Sequence, residues 1–234
     1  MKLNYFEKIL RESIDKDIGS KDQKNTLTES FVAQQKKFNI LTDYLSSVSI
    51  ENHKELYKNY LENFNKISAK LDSADKSNSN SNHSDFRNLK NDETYNMNAT
   101  YLHELYFANI GDNNSQISMD TLSYMRMSRD FGTFDDWQKE FIACAQSSQN
   151  GWAITYLNTF THSYMNCFID SHSQNVPVGM YPIIVIDMWQ HSYYKDYLKD
   201  SKTYLLAMMK QLDWNVIEKR IRKADKVIEA IRGV

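Results

Sequence analysis

The sequence predicts an α+β fold: an N-terminal antiparallel α-helical hairpin followed by a C-terminal α/β region with a small sheet. Three observations predict it. The 234 residues hold 6 Gly and 2 Pro against 15 Tyr and 11 Phe, too few chain breakers for a turn-rich sandwich or barrel. Apolar residues recur at helical spacing in the first and last thirds of the chain, while short aromatic and β-branched runs lie between them. Helices, then strands, then helices is the order of an α+β layer arrangement.

Taken in order, residues 1–30 form an N-terminal extension rich in Lys, Asp, Glu and Ser. Tyr5, Phe6, Ile9 and Leu10 give it one short amphipathic helix, stopped by Ile18-Gly19-Ser20. Residues 49–71 predict a long helix with Ser49 as N-cap, because Ile50, Tyr57, Tyr60, Leu61, Phe64, Ile67 and Leu71 share a face. The stretch SADKSNSNSNHS at 73–84 buries too little apolar surface to offset its ordering entropy, and the polar loop is drawn over 73–92. A second helix is expected over 95–110. The hairpin domain then spans 31–115, with a turn-rich connection at 111–118 and a second domain over 116–234.

That second domain opens with helices at 119–129 and 134–146, split by Phe131-Gly132-Thr133. Asp135 and Asp136 sit in the first turn of the latter, where the helix dipole favours them. Segments 152–156 and 163–169 read as strands. The wholly apolar 183–186 suits a strand covered on both faces. Helical periodicity returns at 193–199, 203–210 and 214–231.

Composition excludes several roles. Lys+Arg 28 against Asp+Glu 30 leaves a net charge of −2, so no nucleic-acid footprint is expected. Cys144 and Cys167 are too few for a disulfide scaffold, and each lies in a hydrophobic segment where a buried reduced thiol is the default. The longest apolar run, 182–186, is far too short for a bilayer, and residues 1–17 lack the apolar stretch of a signal peptide. A cytoplasmic setting without membrane attachment is the expectation.

The chemistry concentrates in Asp187-Met188-Trp189-Gln190-His191-Ser192-Tyr193-Tyr194, at the end of the apolar strand. An aspartate and a histidine four residues apart can aim oxygen and nitrogen at one point, a donor pair suited to Mn, Fe or Zn. His53 opens the first long helix, and His103 lies within Tyr101-Leu102-His103-Glu104-Leu105-Tyr106-Phe107. A lone histidine on such a face is ordinarily a satisfied core residue. His83 in the polar loop, His172 in a turn and His162 before a strand are read as solvent-facing or structural.

Together these segments resemble the iron/manganese superoxide dismutase family over residues 31–221. Asp187–Tyr194 is similar to DVWEHAYY, Phe131-Gly132-Thr133-Phe134 to FGSF, and Gly151-Trp152-Ala153 to the GSGW strand start. His103-Glu104-Leu105-Tyr106-Phe107 resembles HTFYW, Asn63-Phe64-Asn65 resembles NLN, and Asp213-Trp214 the family's NW. The resemblance implies a small antiparallel sheet, one Mn or Fe ion per chain held by His53, His103, Asp187 and His191, and superoxide as substrate. It implies a gateway role for Tyr60, with Trp152, Trp189, Gln190 and Tyr194 around the pocket.

Four departures carry expectations of their own. His53 and Tyr60 are seven positions apart where the family has eight, which still returns both to one face; an ungapped match from Tyr60 instead puts Asn52 at the ligand position. Gln190 replaces the glutamate that links family subunits, and Leu56 and Tyr57 stand where the family has a histidine reaching its partner. The glutamine that polarises solvent in the family is absent at Ala99. Gln149 is the candidate, one residue out of register, with Gln146 and Ser148 as rivals. The implied homodimer is thus set against a second reading, a dismutase-like structural subunit of a larger assembly such as a mitochondrial ribosome or a virus or phage particle. No nucleophile–base pair supports a hydrolase.

Overall fold

The computed structural model describes residues 32–110 and 115–232. The expected helix in the N-terminal extension lies outside them. Helix α1 is Ser47–Asp72 and α2 is Asp85–Asn109. Their contacts run in opposite directions: His53 meets Phe107, Phe64 meets Tyr101, and Ser68 meets Glu93. This is an antiparallel hairpin. The buried side of α1 carries Ile50, His53, Tyr57, Leu61, Phe64 and Leu71, steps of three, four and finally seven residues that form one stripe.

Two helix starts differ from the sequence reading. Ser46, not Ser49, caps α1, its hydroxyl accepting from the Ser49 N–H at 3.2 Å. Helix α2 begins ten residues earlier than periodicity indicates, so the polar loop ends at Ser84 rather than 92. The Ser84 hydroxyl accepts from the Arg87 N–H and caps a first stretch that is largely exposed, where no apolar stripe is needed.

Helices α3 (Leu122–Phe131) and α4 (Phe134–Ser147) are joined at Gly132, whose positive φ of 92° glycine adopts without strain. Strands β1 (Gly151–Asn158), β2 (Tyr164–Asp170) and β3 (Met180–Asp187) make an antiparallel sheet in the order β2-β1-β3. Gly151 lies so close to β2 that an added Cβ would stand 1.8 Å from the Ile169 carbonyl oxygen, which only glycine tolerates. Register pairs Trp152 with Ile169 on one side and with Asp187 on the other.

Helices α5 (Gln190–Tyr197), α6 (Ser201–Lys210) and α7 (Trp214–Arg232) complete the chain. Ile183–Asp187 of β3 is buried throughout, with α2 and α7 packed against the strand. Arg220 of α7 is itself buried. Its guanidinium donates to Asn109 Oδ1 (2.7 Å), the Ile183 carbonyl (2.6 Å) and the Leu105 carbonyl (3.3 Å), tying α7 to β3 and the end of α2. Asn109 in turn donates to the Val185 carbonyl at 2.9 Å. Cys144 and Cys167 are free and half-buried rather than buried, and burial pushes the Cys144 thiol up to about 11. No described helix is long and apolar enough to cross a membrane.

Candidate metal centre

Four side chains from four elements meet between the hairpin and the sheet. His53 comes from the second turn of α1, His103 from the last third of α2, Asp187 from the last residue of β3 and His191 from the start of α5. One donor atom from each lies within 4.8 Å of every other. His53 Nε2 is 3.1 Å, His191 Nε2 3.2 Å and His103 Nε2 3.7 Å from Asp187 Oδ2. Donors about 2.1 Å from a tetrahedral ion stand about 3.4 Å apart, so these spacings match a shared ion. The helix α1 is uninterrupted, and Asn52 faces solvent while His53 is buried.

Each donor is held from behind. His103 Nδ1–H donates to the Ala99 carbonyl at 2.6 Å, which leaves the lone pair on Nε2. That Nε2 is buried and has no hydrogen-bond partner. An unsatisfied buried acceptor costs about 1–3 kcal/mol, and a cation held by the cluster would satisfy this one. Asp187 Oδ1 accepts from the Trp189 N–H at 2.8 Å, which turns Oδ2 to the histidines, and the Ser192 hydroxyl donates to the Asp187 carbonyl at 3.0 Å.

The electrostatics agree. Burial lowers the pKa of His53 and, with His53 beside it, drives His103 well below the usual imidazole range. Both rings are therefore neutral, as metal ligation requires. Burial alone would raise the Asp187 carboxyl; the His191 and His53 rings hold it below the usual carboxylate range. A buried carboxylate beside the neutral His53 and His103 rings is a cage that a cation would balance. Aromatic rings close it. Trp152 stands edge-on to His103 at 4.9 Å, Trp189 stacks on His191 at 5.7 Å, and Tyr106 and Phe107 flank His53.

This arrangement bears directly on kinship. Residues 121–220 match the family model for the C-terminal domain of iron/manganese superoxide dismutases. Across 192 residues the chain is 35% identical to "Superoxide dismutase [Fe]" of Aquifex pyrophilus, covering 80% of this chain and 89% of that one. It is 31% identical over 142 residues to "Superoxide dismutase [Mn] 1" of Halobacterium salinarum, covering 59% and 68% respectively. The chain belongs to the iron/manganese superoxide dismutase family. The α+β layout and antiparallel sheet are those the resemblance implies.

Against this family frame, the remaining expected residues divide. Tyr60 lies beside the cluster, its ring 5.4 Å from that of His103, and burial raises its hydroxyl pKa. Gln149 is a correction: it is exposed at the end of α4, where its N–H donates to Asp170, and its side chain is not among those around the cluster. Its rivals fare no better, since Gln146 is exposed and the Ser148 hydroxyl donates to Asp170. Gln190 and Tyr194 face outward on α5 and do not line the pocket within one chain.

Sequence reasoning missed His172. It is 0% exposed rather than solvent-facing, and sits in the turn after β2. Its ring stacks on Trp189 at 4.9 Å and lies 6.0 Å from His103. The register Gly151↔Asp170 carries the turn back beside Trp152, a signal that exists only once the strands are paired.

Proposed function

We propose that this chain disproportionates superoxide at a mononuclear Mn or Fe site held by His53, His103, Asp187 and His191. The observation that supports this most is His103 Nε2: a buried, unpartnered lone pair, fixed by its own backbone, aimed where two other imidazoles and a carboxylate converge. When bound, a Mn or Fe ion supplies one-electron exchange, so that one superoxide leaves as dioxygen and a second, with two protons, as hydrogen peroxide. The chain's residues do the rest. Asp187 contributes one negative charge and three neutral rings contribute none, so the cage offsets one charge of the ion. Trp152, Trp189 and Phe107 keep bulk water from the donors, and Tyr60 offers a hydroxyl at the rim.

A purely structural subunit has no use for this cluster, which costs stability unless a cation fills it. The self-association implied by the family belongs, in this reading, on the outward side of α5, where Gln190, Tyr194 and Leu198 are exposed. The two free thiols fit a reducing compartment such as the cytoplasm.

The test is metal analysis of the purified full chain combined with superoxide decay. About one Mn or Fe per chain and decay well above that of the free ion is the expected result. A folded chain that retains no metal from either salt, or a loaded chain with no excess decay, overturns the proposal.

A further inference from the structure

Behind the metal cluster lies a pair of buried tyrosines that superoxide chemistry at the pocket does not use. Tyr106 of α2 and Tyr204 of α6 are each 0% exposed. Their hydroxyl oxygens stand 2.9 Å apart, and the Tyr106 hydroxyl also donates to Met208 Sδ at 3.6 Å. Phenylalanine at either position would fill much the same space without burying a polar group. The hydroxyls therefore point to a task beyond packing.

The rings on either side of the pair continue it in both directions. At the inner end the Tyr106 ring lies 5.3 Å from the ring of His53 and 6.5 Å from that of Trp152. At the outer end the Tyr204 ring lies 5.4 Å from Tyr193 and 5.7 Å from Tyr197, both half-buried on α5. The Tyr197 hydroxyl donates to the carbonyl of the exposed Tyr44 at 2.7 Å. Each step from His53 to the surface is thus a ring contact or a hydrogen bond, and each residue between is phenolic. Among aromatic side chains, tyrosine and tryptophan give up one electron far more readily than phenylalanine. Phe107, the other large ring against His53, offers no such outlet.

Resting on the dismutase reading, the product itself is the oxidant. Hydrogen peroxide that meets a reduced ion takes one electron from it and needs a second to become water. We propose that Tyr106, Tyr204 and Tyr197 form a conduit that brings this second electron from the surface and so draws oxidative damage away from the metal ligands. The O–O bond of peroxide breaks and two waters form, with one electron from the ion, one from the tyrosines and two protons from solvent. At the outer end the Tyr197 O–H bond breaks, its proton passes to solvent, and a phenoxyl radical remains. Tyr106 and Tyr204 end with the protons they began with. While either ring is short of an electron, the proton of their 2.9 Å hydrogen bond shifts toward the neighbouring oxygen. A one-electron reductant in solution, such as ascorbate or a thiol, returns an electron and a proton to Tyr197.

Spin trapping in the full iron-loaded chain tests the route. Peroxide is added with a nitroso spin trap, adducts are located by peptide mass spectrometry, and electron paramagnetic resonance of freeze-quenched samples reads the radical. A tyrosyl signal and adducts on Tyr197 or Tyr193 are expected; the zinc-loaded chain, whose ion exchanges no electron, should give neither. Tyr204→Phe should keep its iron, lose the Tyr197 and Tyr193 adducts, and gain oxidation on Trp152, Trp189 or His53. Wild-type adducts confined to Trp152, Trp189 or Tyr60, or an unchanged pattern in Tyr204→Phe, overturns the proposal. If Tyr204→Phe does not fold, Tyr106→Phe interrupts the same step and decides it. A chain that dismutates superoxide but fails these tests loses the conduit alone, whereas a chain that holds no metal loses the function reading and the conduit together.

Discussion

Truncating His191 probes the metal centre with least damage to the fold. Its side chain is 25% exposed, whereas those of His103 and Asp187 are 0% exposed, so His191→Ala leaves a solvent-filled notch rather than a core cavity. A four-donor site binds a first-row dication with an apparent free energy of about 12 kcal/mol, or about 3 kcal/mol per donor. Losing one donor then weakens retention by about 150-fold. Manganese at a hundred times the wild-type Kd stabilises the folded chain by about 2.7 kcal/mol, which raises Tm by about 5–11 °C for a chain of this size. At that same concentration the variant gains about 0.3 kcal/mol, a shift of about 1 °C. Thermal melts with and without manganese, paired with metal analysis after dialysis against chelator, read both quantities. Unchanged metal content in His191→Ala, with the full melting shift, would refute the assignment of the site.

Tyr60→Phe should keep metal content and Tm near wild type while changing turnover or product inhibition; superoxide decay at high substrate is the assay, and unaltered kinetics removes Tyr60 from the site. Arg220→Ala should cost about 3 kcal/mol or more in denaturant unfolding, because Asn109 Oδ1 and two buried carbonyls lose their shared donor; a loss below 1 kcal/mol would show the clamp to be dispensable. In the chelator-stripped chain, pH acts through His53, His103 and His172, all with folded pKa values below 6.5. Above pH 6.5 they are neutral in both states and cost nothing. As pH falls toward 4 the unfolded chain takes up protons that the folded chain refuses, so stability should drop by up to about 1.4 kcal/mol per pH unit for each group. A melting temperature that is flat between pH 6.5 and 4 would contradict the neutral-histidine picture.

Much of this was legible because burial writes itself into periodicity. The stripe from Ile50 to Leu71 announces α1, and the same stripe carries His53 inward. The first turns of α2 were not legible, since residues 85–94 are mostly solvated and their helicity rests on the Ser84 cap rather than on an apolar face. The cluster itself came through resemblance of short motifs, not through spacing: nothing in the distance from residue 53 to 187 tells a reader that the two touch. Gln149 failed for a related reason. Gln149 lies exposed just before β1, while the space beside Tyr60 is filled by His172 from the turn after β2. Such an exchange depends on strand pairing and a left-handed turn, and neither has a local signature in a Ser-His dipeptide.

The His53–Asp187 contact joins side chains 134 residues apart, and His191 lies further on still. A ribosome must therefore have made the chain past residue 191 before all four side chains of the cluster can meet. On the proposed function, metal capture then follows closure of the strand–helix corner onto the helical hairpin, and the transition ions present at that point compete for the site.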